Sequence, residues 1–214
     1  MPHYRFRDVQ TWVFDLDNTL YHPSARLFDQ IEVKMTEYVM REVGVDREEA
    51  DMLRAAYWRD YGTTLNGLMT VHDADPGRYL DDVHDIDLTA LAPDPGLRSA
   101  IDALPGRKII HTNGPLSHAD RILAARGLTG LFDAAYGIEE SGFLPKPDLA
   151  AFQAIWRLDG LDPAGAAMVE DDVRNLSVPR AEGMRTLWVT ETPREADVDA
   201  ATDDLTDFLE RVMG

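Results

Sequence analysis

Apolar positions along the chain follow two rhythms. Residues 9–14 (Val9-Gln10-Thr11-Trp12-Val13-Phe14) are β-branched and aromatic, and the run stops at Asp15, which predicts a strand. From Ser24 to about Pro93 the rhythm is helical. Leu27, Ile31, Met35, Tyr38, Val39 and Val43 recur at three- and four-residue steps, and Gly44 ends the run. Asp46 with Glu49 gives a capping-box signal, and Ala50, Leu53, Tyr57 and Tyr61 follow on one face. Gly62-Thr63-Thr64-Leu65-Asn66-Gly67 predicts a break, and Asp75-Pro76 starts another helix with Tyr79, Leu80 and Val83 inward. No strand is predicted in this block, so residues 21–93 read as an all-helical module inserted behind the first strand.

From Asp94 onward helix and strand alternate. Asp94-Pro95 opens a helix carrying Leu97, Ile101 and Leu104; strands are predicted at 108–112, 134–137, 166–169 and 186–190. Between and after them, helices are predicted at 116–126, 148–158, from the acids after 169 to Gly183, and at 203–212. Strands separated by helices of this length imply a parallel sheet covered on both faces. The expected fold class is α/β: a Rossmann-like core from 1–20 and 94–214, with the helical insertion between.

Composition narrows the function. A chain of 214 residues suits one large domain, or a core with a module. The net charge of −18 argues against a broad basic surface for a nucleic-acid polymer. It leaves room for a small anionic substrate at a locally positive site. No run of eighteen apolar residues is present, so no membrane span is expected, and Met1-Pro2-His3-Tyr4-Arg5 carries no apolar signal segment. The absence of cysteine removes disulfides and thiol chemistry and fits a cytoplasmic protein.

In parallel sheets ligands bind beyond the C-terminal ends of the strands, so the residues there matter most. Asp15 and Asp17 follow the first strand, two residues apart, and leave its tip on one side. Two such carboxylates repel, which calls for a cation between them or a proton on one. Thr112-Asn113-Gly114 end the second predicted strand, and Glu170-Asp171-Asp172 a later one, with Asn175 behind them. Lys146, one of only three lysines beside Lys34 and Lys108, lies between Pro145 and Pro147. Hard carboxylate oxygens, a lysine and a hydroxyl are the parts that Mg²⁺-assisted phosphoryl transfer requires.

These segments resemble, in order, the four motifs of the haloacid dehalogenase superfamily. Phe14 to Leu20 matches the nucleophile motif, Ile109 to Gly114 the hydroxyl motif, Leu144 to Asp148 the lysine motif and Val169 to Asn175 the distal acidic motif. The helical block sits where that family carries a cap. The resemblance implies a Mg²⁺-dependent phosphatase working through an aspartyl phosphate. Asp15 would be the nucleophile and Asp17 the acid/base, its backbone carbonyl also a metal ligand. Thr112 and the N–H groups at Asn113-Gly114 would hold the phosphoryl oxygens, Lys146 would neutralise charge, and Asp15 with Asp171 would hold Mg²⁺. One of Glu170 and Asp172 would support the metal, and Asn175 would orient Lys146 or the metal's surroundings. His111, one before Thr112, is expected to face the core. The dehalogenases of the superfamily lack the second aspartate, so Asp17 favours phosphate chemistry. Within the cap, Tyr57 to Leu68 and His84 to Asp87 are similar to the pyrimidine 5′-nucleotidase branch, which implies a nucleotide substrate touched by Tyr61, Thr63, Thr64 and Asn66. The alternatives are a phosphatase for phosphoglycolate or a sugar phosphate, a phosphomutase, or a non-catalytic protein that keeps the fold.

Overall fold

Strand β1 (Thr11–Phe14) is only four residues long, yet Trp12, Val13 and Phe14 are all buried, because the strand lies in the middle of the sheet. The computed structural model describes residues 2–192 and 194–214. On one side β1 pairs with β2 (Arg107–His111), which pairs with β3 (Ala134–Tyr136). On the other side come β4 (Ala166–Glu170), β5 (Arg185–Val189) and β6 (Ala200–Thr202). The order is β3-β2-β1-β4-β5-β6, and every pairing is parallel. β4 is buried at all five positions, the near-continuous apolar run of a strand covered on both faces. The chain leaves β1 toward β2 and β3, then returns to the opposite side of β1 with β4. That reversal of direction is where a parallel sheet opens a crevice.

The strands predicted from the sequence form within one or two residues of their expected bounds. β6 is an addition: Ala200-Ala201-Thr202 carries neither a large apolar residue nor an alternating pattern.

The contacts of the chain divide it into two units, one running up to His22 and resuming at Leu91–Gly214, the other Pro23–Ala90. In the second unit, α1 (Leu27–Val39) passes into a π-turn at Met40–Gly44 and is followed by α2 (Arg47–Tyr61), α3 (Thr64–His72) and α4 (Pro76–Val83). The break expected at 62–67 is narrower than the sequence suggested. Gly62 ends α2 in the left-handed region (φ 83°), and Thr63 immediately caps α3 by accepting the Asn66 N–H at 3.0 Å. Gly67 is therefore a helical residue, and a Cβ there would lie 2.2 Å from the Tyr57 ring; its role is close approach of α3 to α2. Among the described residues Pro23–Ala90 contain no strand.

In the sheet-bearing unit the helices are α5 (Pro95–Asp102), α6 (Leu116–Ala125), α7 (Leu149–Asp159), α8 (Ser177–Ala181) and α9 (Leu205–Met213). Part of the acidic composition has a structural use here. Asp46, Asp75, Asp94, Asp148 and Asp204 each cap a helix by accepting a backbone N–H of its first turn. No helix among the described residues is long and apolar enough to cross a membrane.

Candidate active site

The register of the sheet sets the centre of the site. Phe14 lies opposite Ile110 of β2 and Val169 of β4. The next row is therefore Asp15, His111 and Glu170, at the C-terminal ends of three neighbouring strands. The Asp15 N–H continues the ladder to the Val169 carbonyl at 2.9 Å.

Lys146 reaches into this row. Its ammonium has three N–H donors, and all three are used: Asp15 Oδ1 at 2.7 Å, Glu170 Oε2 at 2.7 Å and the His111 carbonyl at 2.8 Å. Its side chain is 1% exposed. The loop that carries it is pinned by Asn113, whose Oδ1 accepts the Lys146 N–H at 2.8 Å and whose Nδ2 donates to the Lys146 carbonyl at 3.2 Å. The Asn113 side chain thus serves the lysine loop. The sequence offers Asn175 as a residue that orients Lys146 or the metal's surroundings; the acids bonded to Lys146 are Asp15 and Glu170. Asn175 is buried in the turn after β4, where its N–H donates to the Asp172 carbonyl at 2.9 Å.

Burial and charge explain the electrostatics. Burial, with Asp17 nearby, raises the Asp15 pKa against the lowering pull of Lys146. Glu170 is pushed well up by burial and then by Asp15. Asp171 is pushed up to about 6, again by burial first and Asp15 second. Burial would lower Lys146, but Asp15 and Glu170 outweigh it and the net shift is upward. Among the described residues one ammonium faces three acids, and the site is short of positive charge. Asp15, Glu170 and Asp171 each offer an oxygen within 4.8 Å of the others, a hard-oxygen set that could hold a metal ion. Asp171 is steadied by the Trp188 indole N–H, which donates to its backbone carbonyl at 2.7 Å.

Glu170 and Asp172, alike in the sequence, have different partners. Asp172 caps the turn at Val173–Leu176 and is ion-paired with Arg174 at 2.5 Å, which holds its pKa down despite partial burial. Glu170 stays with the acid group.

Thr112 is buried at the end of β2, and its Oγ1 accepts the Gly114 N–H at 3.0 Å. That bond turns the Gly114 N–H inward, a departure from the expected cradle of N–H groups at Asn113-Gly114. The hydroxyl keeps its own proton to donate. His111 faces the core: its ring meets Phe152 edge-on at 5.3 Å, and burial, then Lys146, hold its pKa well below the ordinary value.

Asp17 is held differently from Asp15. Asn18 adopts the left-handed region (φ 60°), and the chain turns back so that the Leu20 N–H reaches the Leu16 carbonyl at 3.0 Å. This turn puts the Thr19 hydroxyl 3.0 Å from Asp15 Oδ2 and the Tyr21 hydroxyl 2.7 Å from Asp17 Oδ1. His118 Nε2, from α6, also lies 2.8 Å from Asp17 Oδ1, and its ring is fully buried. His118 was missed in the sequence, where it is one of six histidines and belongs to no recognisable spacing.

Tyr61, Thr63, Thr64 and Asn66 belong to the helical unit. Thr63 caps α3, Asn66 Nδ2 donates to the Tyr61 carbonyl at 3.4 Å, Thr64 is buried, and the Tyr61 ring lies 6.1 Å from that of Tyr57.

Residues 9–183 match the family described as haloacid dehalogenase-like hydrolase. Phosphate metabolism protein 8 of Saccharomyces cerevisiae is 28% identical over 193 residues, covering 82% of this chain and 60% of that protein. The chain thus spans about 60% of the length of this curated relative. Among solved structures, a HAD phosphatase from Thermococcus onnurineus is similar with a TM-score of 0.64 at 18% identity, over 96% of this chain and 98% of that one. A 2-haloacid dehalogenase from Pseudomonas syringae is similar with a TM-score of 0.62 at 20% identity, over 96% and 98%. A phosphatase and a dehalogenase share this frame, so the frame alone does not choose the chemistry. The family match runs from β1 past the acids that follow β4, across every segment that meets at Lys146, and the chain belongs to the haloacid dehalogenase-like hydrolases.

Proposed function

We propose that this hydrolase cleaves small phosphomonoesters with Mg²⁺ through an aspartyl phosphate on Asp15, and that its substrate is a pyrimidine nucleoside 5′-monophosphate. The observation that carries the reading is the unlike treatment of two neighbouring carboxylates. Asp15 is ion-paired with Lys146, whereas Asp17 is held by a tyrosine hydroxyl and an imidazole. A nucleophile must stay ionised, and an acid/base must be able to carry a proton.

In the first step Asp15 attacks phosphorus, the bond to the leaving oxygen breaks, and Asp17 gives its proton to the departing alkoxide. In the second step water attacks the aspartyl phosphate, Asp17 takes the water proton, and phosphate leaves with Asp15 regenerated. Lys146 pulls Asp15 toward its ionised form against the effect of burial, and the Thr112 hydroxyl donates to a phosphoryl oxygen. Asp15, Asp171 and the Asp17 carbonyl would hold Mg²⁺ with Glu170 beside them, and the bound ion would supply positive charge to the phosphoryl oxygens.

The nucleotide assignment is supported by the similarity of Tyr57 to Leu68 and His84 to Asp87 to the pyrimidine branch. The test is phosphate release from UMP, CMP, phosphoglycolate and sugar phosphates, with Mg²⁺ and with chelator. UMP and CMP are expected to be the best substrates, and chelation to abolish turnover. Strong activity on phosphoglycolate with none on UMP or CMP would sink the nucleotide assignment, and metal-independent chloride release from 2-chloropropionate would sink the phosphatase. Asp15→Asn is expected to lower phosphate release by on the order of 10³-fold or more.

A further inference from the structure

His118 and Thr112 are carried by one continuous segment that runs from the end of β2 into α6. Thr112 follows β2, its N–H on the Tyr136 carbonyl; Gly114 returns its N–H to the Thr112 hydroxyl; α6 begins at Leu116, and His118 lies in its first turn, its N–H on the Pro115 carbonyl at 3.1 Å. The segment that places a donor for the phosphoryl oxygens therefore also places His118 Nε2, 2.8 Å from Asp17 Oδ1. The Tyr21 hydroxyl, from the turn after β1, lands on the same oxygen at 2.7 Å. A carboxylate only accepts hydrogen bonds, so against ionised Asp17 the imidazole donates through its Nε2–H. When Asp17 carries a proton on Oδ2, Oδ1 is a carbonyl oxygen and accepts the same two bonds. Neither partner needs to move as the proton comes and goes.

We propose that His118 is a positioning residue for Asp17: its Nε2–H fixes Oδ1, so that the proton is carried on Oδ2 and delivered to the leaving oxygen of the substrate. It acts through Asp17 and touches neither the phosphoryl group nor the substrate. The proposal deepens the phosphatase reading and rests on it.

The test uses the leaving group. A nucleoside 5′-alkoxide must be protonated as it departs, whereas p-nitrophenolate is stable without a proton. kcat/KM reports only the steps up to formation of the aspartyl phosphate, where that proton is needed. His118→Ala is expected to lower kcat/KM for UMP by about 10²-fold, within the range of general-acid effects, and for p-nitrophenyl phosphate by less than about 5-fold. Asp17→Asn should show the same selectivity. His118→Gln, whose amide nitrogen extends to where Nε2 lies, should recover most of the UMP activity, and His118→Asn, which is one carbon shorter, should not. Should His118→Ala fail to fold, the Gln and Asn variants carry the comparison. Equal losses on both substrates, or equal activity of the Gln and Asn variants on UMP, overturn the proposal while leaving the phosphatase reading intact. Absence of phosphate release from every monoester by the unsubstituted enzyme overturns both.

Discussion

Lys146 is the residue on which the site depends, because among the described residues it is the one cation bonded to Asp15 and Glu170. Lys146→Met would leave two buried carboxylates without their partner. Losing one member of a buried pair costs about 3–5 kcal/mol, so the urea midpoint of the variant should fall sharply at neutral pH. It should recover as the pH is lowered toward about 5 and the raised carboxyls take up protons; a loss independent of pH would refute the electrostatic account. That Asp15 and Asp171 come together was legible in the sequence, because strand ends in a parallel sheet converge. Other assignments were not. Nothing in Glu170-Asp171-Asp172 says which flanking acid turns inward; Arg174 and the fully buried β4 decide it. The Asn113 side-chain bonds to Lys146 cross 33 residues of chain. His118 meets Asp17 across 101 residues, a relation that no local pattern encodes.

At the scale of elements, the helices were legible where capping and periodicity agreed and were missed where they conflicted. Asp75-Pro76 and Asp94-Pro95 opened helices as expected. α3 was hidden by Gly67, read as a breaker but kept for space against Tyr57. Gly67→Ala would force a Cβ into that ring, and overpacking of this kind costs about 1–3 kcal/mol. Hydrogen exchange should therefore speed up in α2 and α3, while the amides of β1, β2 and β4 keep their protection. Unchanged exchange in α2 and α3 would show that the Tyr57 ring moves aside freely. β6 was invisible for the opposite reason: its three small residues carry no signal, and its pairing with Leu187, Trp188 and Val189 of β5 supplies the order.

For the whole molecule, the shortage of positive charge makes stability depend on protons and metal together. Asp171 is raised from 3.8 to about 6, and Asp15 and Glu170 are raised as well. A raised acid binds its proton more tightly in the folded state. Its contribution is therefore complete below the unfolded pKa and is lost as the pH rises through the folded one. For Asp171 that window runs from 3.8 to about 6, and the contribution amounts to at most about 3 kcal/mol. Without metal the protein should melt higher near pH 5 than near pH 7.5, and Asp171→Asn should flatten that slope. Mg²⁺ should raise the melting temperature near pH 7.5 and do so less near pH 5, where protons compete for the same oxygens. A metal-free melting temperature that climbs across this range would contradict the assignment.

The strand order has a further consequence, in the timing of synthesis. β1 is complete at Phe14, yet its two neighbours begin at Arg107 and Ala166. As the chain leaves the ribosome, Asp15 emerges long before Lys146, and Glu170 later still. Pro23–Ala90 close their contacts among themselves and can fold early. The central strand must wait, unpaired, for segments that are made long after it. The acid cluster is thus incomplete until β4 has been made, and a chain cut short before β4 holds the helical unit and Asp15 without Glu170 and Asp171.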